Sequence, residues 1–539
     1  MGGKRTTIKY LVLIIAVLYS ASFIFWGRGT TDTYFWLHSF QCPLKPGLSD
    51  GTWIIGHFWC RLFGYNVLSY RILEWLCCIL AMGIPYFVLY KDGKWKEFRP
   101  LLSLSLAIVL MGYGTLMEFS PGTMSFLLLS LTVVALILWY RTRNITNIIL
   151  LGVVSALAVF CRFPNIISVL FVATCIFYSA IHNSEKHKYL SSLAQILLYI
   201  GALVVVYALC FLATHTDARI LGQTSSAFAD AAKAEHSLSA LVNIMLNQAN
   251  ELLLFAGLII LVSLFPIFIN RTHSVPLRLA ISIVGVIVLI YVLRSNVGTH
   301  VRGNRQLQEC ISVICIMAVL FRCFLARQSM ESMEKVLWIT CILVLMVEPL
   351  GSDTGWVKLF PALLILLPLA LPGIDEFWNN KLAIAMMLVL CLYSTCCFLR
   401  NNISGITRDD VWEMRETTDK KILKHILLSH NDVNVINDVC YDYETYGEKD
   451  NSIYYGFNAH FFYAITGCTP IYDGYGFWMH QNDESEIKKI LSVMQQHESV
   501  LFDYEKNDSQ FFSDAIKSVD YELVHESYLY NIYRKREGN

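Results

Sequence analysis

Residues 8–26 read IKYLVLIIAVLYSASFIFW, and residues 30–40, close behind, read TTDTYFWLHSF. The first stretch is apolar over about the 20 residues a helix needs to cross a hydrocarbon layer. It is too long for the apolar segment of a cleaved signal peptide, about 7–15 residues, and no small-residue cleavage site follows. It reads as a retained anchor. The second stretch puts a carboxylate, Asp32, where the chain leaves the bilayer, among aromatic residues rather than Lys or Arg. Aromatic side chains favour the interface and a polar residue after a span is ordinary, so the rest of the chain must decide whether Asp32 does more.

Composition extends the membrane reading. The chain has 539 residues, 55% hydrophobic and only 16% charged, with a mean hydropathy of +0.49. A soluble protein of this length needs more charge to cover its surface. Lys and Arg number 42, as do Asp and Glu, and this balance excludes a nucleic-acid binder, which needs a basic excess. Of 16 cysteines most lie inside apolar runs (Cys77, Cys78, Cys161, Cys175, Cys210, Cys391), where they behave as small hydrophobes. No Cys/His spacing typical of zinc is present.

Apolar runs predict about thirteen spans, near 8–26, 68–90, 100–117, 122–140, 146–161, 164–182, 189–213, 248–269, 278–293, 309–325, 335–349, 357–372 and 381–399. With Lys4, Arg5 and Lys9 on the cytoplasmic side, every second hop returns at a short segment carrying Lys or Arg, as at YKDGKWKEFR, RTRN, HNSEKHK and NRTHSVPLR. That is the positive-inside pattern. An odd count leaves the C-terminus outside. From about residue 400 the apolar runs shorten and Asp, Glu, Asn and Tyr increase. KKILKHILL (420–428) suggests a helix, while VLFDYE and YELVHESYLYNIYRKR alternate like strands. The expected organisation is a transmembrane domain over 1–399, with an amphipathic first outer loop at 27–67, and a soluble α/β domain over 400–539. Cys440 and Cys468 lie where a disulfide is chemically permitted.

The unusual polar residues gather on the outer side. The first outer loop holds Asp32, His38, Asp50, His57 and Arg61 among many aromatic residues; it reads either as an interfacial loop with snorkelling charges or as a site. Glu118 lies in a very short second outer loop, GTLMEFSPG. Two carboxylates at one membrane face suit acid–base chemistry or metal coordination. Arg162, in CRFPN, has almost no loop to support it, and an arginine there is costly unless paired or functional. Residues 294–309, RSNVGTHVRGNRQLQE, bring Arg294, His300, Arg302 and Arg305 to the outer side against the charge bias. Guanidinium groups grip phosphate oxygens bidentately, so this loop reads as an anion site or as a set of salt bridges. The membrane-borne anion that would suit it is a lipid phosphate.

Four stretches, in order, carry a family resemblance: GTWIIGHFWCRLFGYNVLSYRILEWLCC (51–78) after Asp32, EFSPGTMSFLLLSLTVVALILWY (118–140), LLGVVSALAVFCRFPNII (150–167) and HVRGNRQLQECISVICI (300–316). Together they resemble the GT-C superfamily of integral-membrane glycosyltransferases, which includes the protein O-mannosyltransferases and the lipid A aminoarabinose transferases. The likeness runs over about residues 10–320. Asp32 is followed by Thr33 where the family often has a second acid; Gly51-Thr52 replaces Pro-Pro, and Arg302-Gly303 replaces Arg-Tyr. Subfamily and acceptor therefore stay open.

The resemblance implies a polytopic α-helical fold in a GT-C-like arrangement, with a polyprenyl-phosphate sugar as donor and a lipid, glycan or protein as acceptor. It implies that Asp32 is the general base and Glu118 an orienting acid. Arg302, Arg305, Arg294 and Arg162, with His300, would hold the donor phosphate. Tyr34, Trp53 and His57 would line the substrate path, with core packing the alternative for each. Dependence on a divalent cation, and hence any metal ligand, is left open. The expected location is a bacterial inner membrane with the site facing outward. The rival readings are a transporter or flippase for lipid-linked oligosaccharides, and a polymerase or ligase acting on them.

Overall fold

The computed structural model describes residues 2–29, 31–42, 50–89, 118–182, 188–214, 272–281, 331–350, 413–449, 451–456, 459–470, 484–504 and 510–536, with single positions at 101, 104, 105, 107–109, 243, 246, 283, 284, 287, 323, 365 and 366. The chain divides into two compact units. One comprises Met1–Ile24, Leu44–Phe58 and Arg71–Asn401; the other joins Phe25–Pro43 and Trp59–Tyr70 to Asn402–Asn539. A boundary drawn on composition at residue 400 does not anticipate that the Asp32 segment folds with the C-terminal residues.

The first unit is helical. Its elements are α1 (Gly2–Ser22), most of α3 (Asp50–Phe63) and α4 (Val67–Leu89), α5 (Pro121–Thr142), α6 (Ile145–Cys161), α7 (Ile166–His182), α8 (Lys188–Thr214) and α9 (Ser332–Leu345). These bounds lie close to the apolar runs. The expected spans 248–269, 309–325, 357–372 and 381–399 fall almost wholly outside the described residues, as do most of 100–117 and 278–293. Among the described residues, three helices are long and apolar enough to cross a membrane: Val67–Val88, Pro121–Thr142 and Leu193–Thr214. In α8, Leu197, Val204, Val205, Leu209 and Leu212 are each more than half exposed. An apolar surface that size suits lipid rather than water. The chain is a membrane protein.

Core packing ties these helices together through Met82 of α4, Leu129, Val133 and Trp139 of α5, Leu151 of α6, Val172 of α7 and Leu345 of α9. Small residues bring backbones close, as is usual between membrane helices. A Cβ on Gly152 would lie 2.6 Å from the Tyr199 carbonyl oxygen, so α6 and α8 are in backbone contact. Tyr199 completes the contact by donating its hydroxyl to Ser155 Oγ at 3.1 Å.

The second unit holds α2 (Thr31–Gln41) and an α/β fold made by α10 (His430–Tyr446), β1 (Ser452–Tyr455), α11 (Ala459–Thr466), α12 (Glu484–His497), β2 (Val500–Asp503), α13 (Gln510–Ser518), β3 (Tyr521–Glu526) and β4 (Asn531–Lys535). Strand order is β1-β2-β4-β3. The β1–β2 pair is parallel and the rest antiparallel. Every residue of β1 and β2 is buried, because both faces are covered. Ile453, Tyr455 and Leu501 face α12 and α13. On the other face Tyr454 meets Phe462 and Tyr463 of α11 and, across the strands, Phe502. The aromatic run YYGFNAHFFY is thus largely core.

One detail differs from the sequence reading, and the open question of a disulfide is answered. KKILKHILL is no helix: it makes one 3-10 turn at Lys421–Leu423, His425 takes φ 69°, and Leu427 and Leu428 then bridge to Trp26 and Glu416. Backbone pairing outcompetes local helix propensity there. No disulfide joins Cys440 to Cys468. The Cys440 thiol bonds Lys420, and the Cys468 thiol faces the Ser452 carbonyl at 3.6 Å.

Candidate functional site

Ionisable side chains of the first unit converge on the N-terminal end of α5. Ser120 precedes the helix and Pro121 occupies its first turn, where a missing N–H costs nothing. The Thr123 hydroxyl donates to the Glu118 carbonyl at 3.2 Å and lies beside the Glu74 carboxylate. Glu74 sits one turn from Cys78 on α4, whose thiol donates to it at 3.3 Å, and it is only 2% exposed. Gly122 lets a third carboxylate in: a Cβ there would be 3.4 Å from Glu348 Oε1. Helix N-termini attract anions.

Arg162 supplies the positive charge. It closes the C-terminal end of α6, where its backbone N–H bonds the Ala158 carbonyl, and cations are favoured at that pole. Its Nη1 lies 3.6 Å from Glu348 Oε2, and its Nη2 donates to the Leu350 carbonyl. Nearby, Ser125 donates to Asn165 Oδ1 at 2.9 Å. Arg162 therefore meets Glu348 on one side of the helix end, and Glu74, with Glu118 near it, lies beside Thr123 on the same end. Ionisable side chains at the ends of apolar helices are costly to bury and need partners there.

Asp32 belongs to the second unit. It lies exposed in the first turn of α2, two turns of chain after the 3-10 turn Phe23–Phe25. The segment before it is locked in shape. Gly27 and Gly29 have φ of 75° and 92°, a region glycine enters without penalty. A Cβ on Gly29 would lie 2.8 Å from Thr33 Oγ1. Trp26 bridges Leu427, with Gly27 N–H donating to the Leu427 carbonyl at 2.8 Å and Leu427 N–H to the Phe25 carbonyl at 2.7 Å.

Other predicted residues are placed as follows. Tyr34 is fully buried; its hydroxyl donates to the Arg28 carbonyl and its ring packs edge-on against Phe461 at 4.9 Å. Trp53 and His57 stack on each other, one helical turn apart on α3, at 4.6 Å. Arg294, His300, Arg302 and Arg305 lie outside the described residues. Glu74, Glu348 and Arg28 were not singled out by sequence. A carboxylate inside the apolar runs RILEWLCC and LVLMVEPL was the available signal for the first two. Among the described residues no group of three or more His, Cys, Asp or Glu is placed to hold a metal ion, so no step is routed through one.

No known family matches the sequence, and no curated protein does. Solved structures do match along its length. The Archaeoglobus fulgidus oligosaccharyltransferase tethered with an acceptor peptide containing the NVT sequon is 11% identical, with a TM-score of 0.49, over 96% of this chain and 69% of that one. The same oligosaccharyltransferase in complex with Zn and sulfate is 12% identical, with a TM-score of 0.48, over 94% and 69%. ArnT from Cupriavidus metallidurans bound to undecaprenyl phosphate is 10% identical, with a TM-score of 0.45, over 98% of both chains.

Proposed function

We propose that the chain is a membrane glycosyltransferase. It moves a sugar from a polyprenyl-phosphate-linked donor to a lipid, glycan or protein acceptor, on the outer face of a bacterial inner membrane. The proposed architecture is a GT-C-like transmembrane domain over 1–399 with about thirteen spans and an outward α/β domain over 400–539. The observation that carries the reading is the buried cluster of Arg162, Glu348, Glu74 and Glu118 at the end of α5. Apolar helices keep such groups only where their charge is used.

In this reading Asp32 takes the proton from an acceptor hydroxyl as that oxygen attacks the anomeric carbon. The bond to the lipid phosphate breaks in the same displacement, inverting the carbon. A phosphate leaves readily without a strong acid but needs its growing charge met. Arg162 contributes there, with Arg294, His300, Arg302 and Arg305 as further phosphate donors; one preorganised donor is worth about 2.7–4 kcal/mol in other enzymes. Glu118 orients the incoming sugar or acceptor, and Glu348 fixes the plane of the Arg162 guanidinium. Trp53 and His57 offer a flat surface for a sugar face.

The test uses reconstituted protein and a panel of undecaprenyl-phosphate-linked pentoses and hexoses as donor probes. Transfer with an inverted anomeric centre is expected, lost in Asp32→Asn while membrane insertion persists. Arg302→Ala and Arg305→Ala should raise donor KM more than acceptor KM. Full turnover by Asp32→Asn removes that carboxylate from the chemistry.

A further inference from the structure

The second unit contains a buried ion pair whose place in the fold gives it a purpose. Arg28 and Asp432 are 1% and 0% exposed, with Nε 3.0 Å from Oδ1. The Arg28 guanidinium also lies over the Phe461 ring, 4.8 Å from its centroid. Asp432 is itself anchored. It sits in the first turn of α10, and its backbone N–H donates to the capping Ser429 hydroxyl at 3.0 Å. Burying two charges is expensive and seldom improves on an apolar pair for stability alone. What such a pair provides is a single register, because the guanidinium has one position in which its charge is met.

Arg28 lies between the two left-handed glycines, Gly27 and Gly29, and four residues before Asp32. Its side chain is held by Asp432, its carbonyl by the Tyr34 hydroxyl, and the backbone on its N-terminal side by Leu427. Tyr34 and Arg28 both contact Phe461. Three independent attachments to residues beyond 400 therefore flank a carboxylate that none of them covers.

We propose that Arg28 and Asp432 are positioning residues, through which the C-terminal α/β domain fixes the direction of the Asp32 carboxylate during sugar transfer. This rests on the reading of Asp32 as the base. The domain's part in catalysis is then to hold residues 25–34, whatever else it binds.

The experiment compares full-length wild type, Asp432→Asn, Arg28→Met and the Arg28→Met/Asp432→Leu double variant in lipid nanodiscs. Hydrogen–deuterium exchange reads peptides covering 25–41 against peptides covering β1 and β2. Turnover is read with the undecaprenyl-phosphate-linked sugar panel. Each single variant should exchange 25–34 at least tenfold faster with β1 and β2 unchanged, and should lose tenfold or more in kcat at constant donor KM. The double variant, which leaves no unpaired charge, should return to within threefold of wild type in both. Unchanged exchange in the single variants, or faster exchange at full kcat, overturns the proposal. If a single variant also loses protection in the sheet, Tyr34→Phe is read in its place by the same criteria. Activity surviving in Asp32→Asn would sink the assignment of the base, while the exchange arm still decides whether the pair holds the segment.

Discussion

Arg28 and Arg162 are both buried and both face a carboxylate, yet they are held differently. Arg28 meets Asp432 at 3.0 Å with both side chains sealed from solvent. Arg162 meets Glu348 at 3.6 Å with side-chain exposures of 8% and 3%. The first pair is balanced, one charge to one charge, inside a unit with a regular sheet and a filled core. The second lies at the end of apolar helices and is longer by 0.6 Å. A short, sealed pair holds its segment in one geometry; a longer one leaves its guanidinium less tightly held.

The largest expected effects test the chemical half of that contrast. Asp32→Asn should lower kcat by about 10²–10⁴-fold, the usual worth of a general base, and Arg162→Met by about 10²–10³-fold, each without loss of folded protein. If Arg162→Met instead unfolds the helices and its residual folded fraction turns over normally, Arg162 serves packing alone. On the structural half, Asp432→Asn should weaken the hold on residues 25–34 by up to about 3–5 kcal/mol, the cost of stranding one buried charge, read from local hydrogen exchange. The double variant should cost far less. Equal losses in the single and double variants would mean the pair is not coupled.

Protonation offers a finer probe of how tightly α2 is enclosed. His460 is buried, both ring nitrogens lack a hydrogen-bond partner among the described residues, and its ring sits against Phe35 and His38. Burial, and then the neighbouring His38, lower its pKa from 6.5 to about 4. The unfolded chain takes up that proton below pH 6.5 and the folded chain resists it until about 4. Stability is therefore full above 6.5 and falls as the pH drops toward 4, by up to about 3 kcal/mol. Thermal unfolding at pH 7.5 and 5 should show this loss in wild type and a shallower one in His460→Phe; parallel slopes would place the imidazole in water. Smallest of the set, Gly29→Ala should cost about 1–2 kcal/mol for its left-handed backbone and push against Thr33, with the same faster exchange at 25–34 that breaking the ion pair gives.

How much of this was legible in the sequence follows from what each feature depends on. Helix bounds could be read because an apolar run of fixed length is a local property. Asp32, Glu118 and Arg162 could be read because a charge at the edge of such a run stands out. Glu74 and Glu348 stand inside apolar runs, where one carboxylate does not break the pattern of a span. Arg28 and Asp432 could not be paired at all: nothing local links residues so far apart. KKILKHILL was misread for the same reason, since its last residues are committed to Trp26 and Glu416 rather than to one another.

The Trp26–Leu427 bridge also sets a clock. A ribosome adds about 5–20 residues per second, so the N-terminal partner waits roughly 20–80 s before the strand it pairs with exists. Through that interval the segment before Asp32 is in place in the nascent chain without the residues that pair with it.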